Sequence, residues 1–285
     1  MTREYLPGTE IEIIRQVERG KIKHILFDFD GTISLLREGW QGIMAPVCVE
    51  MICGSTEPTD QIREEVNVMI DETTGIQTIF QMQRLQEMVR AHGLVPEAEI
   101  KSPEAYKEVY NDRLMVPVRE RIAAIKSGAR TRESFTVKGS LRFLELLSRL
   151  DVTMYVFSGT DRDDVRNEAS CLGVADYFNE IWGALPSVEE YSKEKIIREI
   201  ISQHHLEGPQ VLAIGDGPVE LRNVRDAGGI ALGIASDEVN GEGWDESKRD
   251  RLLKAGADML VPDFKEANLT QLKRNPEQLV EYLFP

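Results

Sequence analysis

The sequence predicts an α/β fold: a Rossmann-like parallel sheet with helices on both faces, and an all-helical domain inserted after the first strand. Two observations predict this fold. Short, nearly continuous apolar runs alternate with segments of helical periodicity, a pattern typical of parallel strands buried on both faces. One long segment shows helical patterns without a strand signal and supplies the inserted domain. Because ligands of such sheets bind at the carboxyl ends of the strands, functional residues are expected at that edge.

Short apolar runs mark the predicted strands of the sheet. The first run is Ile22–Phe29, which stops just before a Gly-Thr pair. The other runs are Val152–Phe157, Val211–Ile214, Ile230–Ile234 and Asp258–Val261. The connecting helices are predicted at Gly139–Arg149, Arg162–Leu172, Lys193–His204, Val219–Ala227 and Glu246–Ala255. The stretch before the first strand, up to Arg19, predicts a short helix.

Residues 36–135 form the predicted inserted domain, and residues 1–35 and 136–285 form the predicted catalytic core. The helices of the insertion are predicted at Asp60–Glu72, Thr78–His92 and Pro103–Lys126. Insertions above strand ends often gate a site or select its substrate, so we expect a cap domain. A helical bundle with only a structural role is the alternative. The candidates for substrate contacts are polar residues near predicted helix starts: Arg37, Trp40, Thr74, Gln77, Gln81 and Arg84.

The formal net charge of −15, from 49 acidic and 34 basic side chains, narrows the choice of partners. A chain this acidic repels nucleic acid and anionic membrane surfaces, so we expect neither as a partner. A small anionic substrate is compatible with this charge if the site holds a local cation. That cation is either a Lys or Arg side chain or a bound metal ion.

The cysteines Cys48, Cys53 and Cys171 indicate a reducing compartment, because they cannot all pair and show no CxxC spacing. The N-terminal segment lacks the continuous apolar core of a signal peptide. No stretch approaches the roughly 18 apolar residues that cross a bilayer. We therefore expect a cytoplasmic protein without a membrane span.

Two aspartates follow the first predicted strand. Asp28 and Asp30 are two positions apart, and in an extended chain this spacing points both carboxylates to the same side. Adjacent carboxylates repel each other unless a hard cation lies between them or one is protonated. Gly31 permits a tight turn, and Thr32 offers a hydroxyl and a backbone N–H. The pattern predicts one shared pocket, and a plain turn that ends the strand is the alternative.

Two weaker elements follow later in the chain. Ser158, Gly159 and Thr160 come directly after an apolar run, where hydroxyl and backbone N–H groups suit a phosphate oxygen; a simple N-cap is the alternative. A lysine then begins the helix predicted from residue 193. A cation at a helix start opposes the macrodipole and needs a compensating anion, such as an aspartate cluster or a phosphate. Lys193 is preferred and Lys195 is the fallback, with an ordinary surface lysine as the alternative.

The last element is a glycine-rich turn with two acids. The apolar run 211–214 leads into Gly215, Asp216 and Gly217, and Glu220 follows in the first turn of the next helix. Asp216 and Glu220 are expected to converge on one metal ion, directly or through water. Mg²⁺ suits such a site because it takes oxygen ligands and keeps several waters. A plain turn before a helix explains any one of the four elements, but not all four together.

The order of the elements is Asp-x-Asp-Gly-Thr, Ser-Gly-Thr, Lys and Gly-Asp-x-x-x-acid. In this order the sequence resembles the haloacid dehalogenase-like superfamily of phosphohydrolases. The helical insertion directly after the first motif looks like the C1-type cap of the group that contains phosphoglycolate phosphatases and beta-phosphoglucomutases. The resemblance covers the whole chain except the N-terminal stretch and the cap.

The resemblance implies a role for each residue. Asp28 would be the nucleophile that forms an aspartyl-phosphate, and Asp30 the general acid and base. The phosphate contacts would be Thr32, Ser158, Gly159 and Lys193. The Mg²⁺ ligands would be Asp28, the backbone carbonyl of Asp30, Asp216 and Glu220. The family usually has Asp where Glu220 stands, and a Glu keeps the charge but reaches further.

The resemblance also separates the activities found on this fold. Dehalogenases and phosphonoacetaldehyde hydrolases lack an acid at the position of Asp30, so a phosphatase acting on a small phosphorylated metabolite, a phosphoric monoester, is implied. A phosphomutase of the beta-phosphoglucomutase type needs the same pair and is the runner-up. A Mg²⁺-binding regulatory domain without turnover is a third hypothesis, which the large helical insertion disfavours.

Overall fold

The computed structural model describes residues 3–185, 193–264 and 275–285. Within these ranges, one sheet contains the strands β1 (Glu12–Ile13), β2 (His24–Phe27), β3 (Thr153–Asp161), β4 (Glu180–Ala184), β5 (Val211–Gly215), β6 (Ile230–Ile234) and β7 (Met259–Val261). The strand order is β1-β7-β6-β5-β2-β3-β4. Neighbouring strands are parallel, except that β1 is antiparallel to β7. The predicted α/β class is confirmed.

Helices connect these strands and form the insertion. They are α1 (Trp40–Cys53), α2 (Asp60–Glu72), α3 (Thr78–His92), α4 (Pro103–Lys126), α5 (Ser140–Leu147), α6 (Arg162–Cys171), α7 (Lys193–Gln203), α8 (Pro218–Asp226), α9 (Glu246–Lys254) and α10 (Asn275–Leu283). The sequence predicted α2 to α9, but neither α1 nor α10. In the part of the chain that the structure describes, no helix combines the length and apolar character that crossing a membrane requires.

The two edge strands were not predicted, and the helix predicted before Arg19 is wrong. Glu12 and Ile13 form a strand there because they pair with β7. Glu12 is buried, and its carboxylate accepts hydrogen bonds from Arg249 on α9. β4 is exposed at Glu180 and contains Gly183, so its sequence lacks the continuous apolar run that marks a central strand.

The central strands carry apolar side chains on both faces. Leu26 belongs to a buried cluster with Ile197 of α7 and Leu221 of α8. The next residue, Phe27, contacts Phe143 of α5 edge-on, with ring centroids 6.3 Å apart. Burying a side chain of this size contributes about 1.5–3 kcal/mol, so this packing holds the strand ends in register. The loops that leave those ends are therefore fixed relative to one another.

The chain divides into two compact units. One contains Met1–Glu38 and Ile122–Pro285, and the other contains Gly39–Arg121. The second unit is helical: α1 packs against α2 and α3 around a buried apolar core. That core includes Val47, Val66, Met82, Leu85, Val89 and Leu114. A cap function for this unit remains a prediction.

Candidate active site

The first aspartate of the motif, Asp28, directly follows the last residue of β2. The backbone N–H of Asp28 donates to the carbonyl of Ile214 at the end of β5, at 2.8 Å, so the pairing with β5 extends to this residue. The chain then turns at Gly31, whose φ is +72°. The Gly31 N–H donates to the carbonyl of Ser34 at 2.9 Å and closes the turn. Asp28 is thus held on rigid backbone.

A buried lysine connects this aspartate to the acid on α8. The Nζ of Lys193 donates to Oδ1 of Asp28 at 2.9 Å and to Oε2 of Glu220 at 3.0 Å. The three residues are 5%, 6% and 0% exposed, respectively. Lys195 instead has a side chain that is 51% exposed and lies near Glu199. Between the two lysines that the sequence offered, the structure brings Lys193 to the aspartate.

Three carboxylates converge beside this lysine. One oxygen each of Asp28, Asp216 and Glu220 lies within 4.8 Å of the others. Glu220 reaches back across the start of α8, where its Oε1 accepts the Gly217 N–H at 2.7 Å. A Cβ at Gly215 would overlap that same oxygen, so the glycine leaves room for the longer acid. The carboxylates form one buried cluster.

The charge in this cluster is not balanced by the lysine alone. Burial raises the pKa of the Asp28 carboxyl well above its usual range, Lys193 opposes the rise, and Glu220 and Asp216 add to it. The Lys193 ammonium offsets one of the three carboxylate charges, and the charge that remains favours either a proton or a further cation beside them. A divalent ion with oxygen ligands fits this donor set.

The second aspartate of the motif has different partners. Oδ2 of Asp30 accepts a hydrogen bond from the Thr160 hydroxyl at 2.8 Å and a longer one from the Ser158 hydroxyl at 3.4 Å. Burial raises the pKa of Asp30, and the nearby guanidinium of Arg37 opposes that rise. Asp216 raises the pKa of both Asp28 and Asp30, so the two carboxyls share one electrostatic environment while being held by different groups.

The end of β3, from Ser158 to Thr160, lies against Asp30 because the strand changes register there. The pairing of β3 with β4 is irregular between Phe157 and Asp161, and such irregularities re-aim side chains. Ser158 also accepts the Thr160 N–H at 3.0 Å, which makes a local turn around Gly159. The structure thus brings the predicted Ser-Gly-Thr element to the predicted acid.

Thr32 is buried beside these loops, and its hydroxyl is unsatisfied. The residue is 0% exposed, and its Oγ1 has no hydrogen-bond partner among the described residues. A buried polar atom of this kind usually has a partner that the protein itself does not supply. The orphaned hydroxyl therefore suits contact with a polar ligand.

Arg37 and its partners form a network that the sequence did not reveal. The guanidinium donates to Glu168 of α6, from Nε at 3.0 Å and from Nη2 at 2.7 Å, and Nη2 also donates to Asp164 at 3.2 Å. Its Nε lies 3.9 Å from Oδ1 of Asp30. Burial raises the pKa of Glu168 to about 7 against the effect of Arg37. A residue chosen as a candidate for substrate contact is thus anchored within the α/β unit beside the acid.

Three other candidates, in the helical unit, have contacts with neighbours along the chain. Thr74 donates to the carbonyl of Ile70 at 2.9 Å, Gln81 donates to Thr73 at 3.2 Å, and Arg84 lies 3.6 Å from Glu87. Contact of these residues, or of Trp40 and Gln77, with a substrate remains a prediction.

The sequence analysis also missed the segment that runs from the end of β6 to the first turn of α9. The Nζ of Lys248 lies 3.0 Å from Asp216 and 2.5 Å from Glu238, and the Ser236 hydroxyl donates to the Gly31 carbonyl at 3.4 Å. One signal was available: Lys248 lies in the first turn of α9, where a cation opposes the macrodipole just as Lys193 does. The surrounding polar, glycine-containing sequence is typical of a surface turn, so it did not indicate that Lys248 is buried.

Gly31 is expected to be essential for this packing. A Cβ there would overlap Oδ2 of Asp216, and the positive φ strains any L side chain. We expect Gly31→Ala to lower the free energy of unfolding by about 3 kcal/mol, measured by urea denaturation. Gly128→Ala is the matched control, since φ is +75° there and nothing lies within 4 Å of the added Cβ. Equal losses in the two variants would contradict the steric argument.

The sequence was compared with protein-family models. The model described as haloacid dehalogenase-like hydrolase matches residues 22–228, which is most of the chain. The chain belongs to the haloacid dehalogenase-like hydrolase family. The matched segment of this family member includes Asp28, Asp30, Lys193, Asp216 and Glu220. Glu238 and Lys248 lie beyond it.

Solved structures of other proteins share the fold. The chain resembles a haloacid dehalogenase-like family protein from Streptococcus pneumoniae, with 17% identity, a TM-score of 0.55, and coverage of 92% of this chain and 98% of that one. It also resembles a beta-phosphoglucomutase from Clostridium difficile, with 14% identity, a TM-score of 0.58, and coverage of 92% and 97%. A predicted phosphoglycolate phosphatase from Haemophilus somnus has 17% identity, a TM-score of 0.56, and coverage of 85% and 95%. A search of curated proteins returns no significant match.

Proposed function

We propose that the protein is a Mg²⁺-dependent phosphatase that hydrolyses a small phosphorylated metabolite through an aspartyl-phosphate on Asp28. One observation carries this proposal: Asp28, Asp216 and Glu220 converge within 4.8 Å, with the Lys193 ammonium against two of them. Asp30, held apart by Ser158 and Thr160, is the one acid of the motif outside that cluster. A nucleophile, a cation site and a separate proton carrier are what phosphoryl transfer through a carboxylate requires.

The carboxylates suit Mg²⁺ by their chemistry. The ligands would be the side chains of Asp28, Asp216 and Glu220 together with the backbone carbonyl of Asp30. All are hard oxygen donors, and the excess negative charge around Lys193 favours a divalent ion. When bound, Mg²⁺ would neutralise charge on the phosphoryl group and on the attacking carboxylate.

In the first half-reaction, a carboxylate oxygen of Asp28 forms a bond to phosphorus and the bond from phosphorus to the ester oxygen breaks. Asp30 gives its proton to the departing oxygen, which leaves as an alcohol. Lys193 lies 2.9 Å from the nucleophile, where its charge offsets the approach of an anionic phosphate to an acidic site.

In the second half-reaction, water attacks the phosphorus of the aspartyl-phosphate. Asp30, now ionised, takes a proton from that water, and the bond between phosphorus and the Asp28 oxygen breaks. Phosphate leaves, and both carboxyls return to their starting states. Thr32, Ser158, Gly159 and Lys193 are the proposed contacts to the phosphate oxygens, and the orphaned Thr32 hydroxyl supports this assignment.

Residues 36–135 are proposed to form the cap that selects the substrate. A cytoplasmic location and the absence of nucleic-acid and membrane partners are proposed from the net charge of −15 and the cysteine pattern. The substrate is therefore proposed to be a soluble phosphate monoester that diffuses to the site.

Metal removal tests the proposed function. We expect the purified protein to release phosphate from an aryl phosphate or from members of a panel of phosphorylated metabolites when Mg²⁺ is present. EDTA should lower the rate at least a hundredfold, and excess Mg²⁺ should restore it. Absence of release from every ester with every divalent metal would favour a binding protein. Conversion of a hexose 1-phosphate to its isomer without net phosphate release would indicate a phosphomutase.

A further inference from the structure

Lys248 is a buried cation in direct contact with the carboxylate cluster. Its Nζ lies 3.0 Å from Oδ2 of Asp216 and 2.5 Å from Oε1 of Glu238, and the residue is 5% exposed. Two carboxylates at these distances stabilise the ammonium in its charged form. Its position is fixed by α9, which begins with the Asp245 side chain accepting the Lys248 N–H at 2.9 Å.

The pair that Lys248 forms with Glu238 lies against the turn after Asp30. An added Cβ at Gly31 would overlap Oδ2 of Asp216 and lie 3.0 Å from Oε1 of Glu238. The same two acids, with their shared ammonium, therefore fill the space beside this turn. Neither Glu238 nor Lys248 belongs to the segment that matches the family model. This part of the site is a feature of the chain beyond that segment.

The effect of the Lys248–Glu238 pair on the site follows from the net charge of the cluster. With their carboxylates ionised, Asp28, Asp216, Glu220 and Glu238 carry four negative charges, and Lys193 and Lys248 offset two of them. The two negative charges that remain match in magnitude the charge of one divalent cation. Without Lys248 the same groups would attract a cation more strongly, because ion affinity rises with the uncompensated charge of its ligands.

On the basis of the proposed function, we propose that Lys248, held by Glu238, is a built-in counter-cation of the metal site. Its ammonium contacts Oδ2 of Asp216, one of the acids of the proposed metal site. It also weakens the binding of the divalent ion, because its ammonium and the metal share one carboxylate. Lys248 is thus a positioning residue that acts through Asp216.

Direct Mg²⁺ titration of the whole 285-residue chain by calorimetry, after removal of metal with EDTA, tests this role. We expect Lys248→Met to bind Mg²⁺ at least tenfold more tightly than the wild type, since one opposing charge is gone. Glu238→Gln should bind at least fivefold more weakly, since it removes a carboxylate and leaves the ammonium. The double variant Lys248→Met with Glu238→Gln restores the net charge and should return to within about threefold of the wild-type affinity.

The opposite signs of the single variants separate this role from a structural one, because loss of packing weakens binding in both. Thermal unfolding of each variant reports whether it is folded, and Glu238→Gln keeps the test valid if Lys248→Met does not fold. Unchanged or weaker binding by folded Lys248→Met, or unchanged binding by Glu238→Gln, overturns the inference and leaves the proposed function standing. Failure of the wild type to bind Mg²⁺ overturns the metal dependence in the proposed function and the inference with it.

Discussion

Asp28→Asn is expected to abolish turnover while leaving the fold intact. The amide keeps the size of the side chain and can still accept a hydrogen bond from Lys193, which lies 2.9 Å away. It cannot form an acyl phosphate, so the rate should fall below about one thousandth of the wild-type value. The free energy of unfolding should change by less than about 2 kcal/mol, because the buried charge that is lost was itself disfavoured by burial.

Two measurements check this expectation. Phosphate release gives the rate, and acid quench followed by intact-mass measurement detects a phosphorylated intermediate in the wild type and none in the variant. Asp151→Asn is the control, since Asp151 is fully exposed and its ion-pair partner among the described residues is a surface lysine, Lys23, 3.1 Å away. Substantial turnover by folded Asp28→Asn would refute the assignment of the nucleophile.

The central part of the fold was predictable because its pattern is local. β2 and β5 are buried along their whole length, and a run of apolar residues shows this without any partner. β1 is two residues long and exists only because β7 lies beside it. β4 lies at the other edge with a partly polar sequence. Edge strands owe their formation to pairing, which a window of sequence does not contain.

The same distinction applies to the site. Asp28, Lys193 and Asp216 could be chosen as candidates because each stands at a strand end or helix start, and the family pattern fixes their order. The ion-pair partners of Arg37 could not be predicted in this way, because Glu168 is 131 positions away and no local sequence pattern marks it. Ion pairs between distant residues arise from the packing of α6 on the sheet. The segment between β6 and the start of α9 shows the same limit. Lys248 of α9 contacts Asp216, and sequence order alone does not predict that contact.

Lys193→Met is expected to lower both stability and activity. The variant leaves Asp28 and Glu220 buried without the ammonium that bridges them, at 2.9 and 3.0 Å in the wild type. Removal of one partner from a buried ion pair costs about 3–5 kcal/mol, so the free energy of unfolding in EDTA should fall by that amount. Turnover with Mg²⁺ should fall at least a hundredfold, because a fixed cation beside the reacting phosphate is lost.

Mg²⁺ is what makes this variant informative. If the carboxylates that contact Lys193 also bind the ion, added Mg²⁺ replaces the missing positive charge and should recover part of the lost stability, without recovering turnover. Urea denaturation with and without Mg²⁺ measures this, and Lys195→Met, two residues further along α7, is the matched control. Its side chain is 51% exposed, so its stability should stay within about 0.5 kcal/mol of the wild-type value. If Mg²⁺ does not change the free energy of unfolding of Lys193→Met, the lysine and the metal ion do not share carboxylates. Two cations that contact the same carboxylates must affect each other's binding.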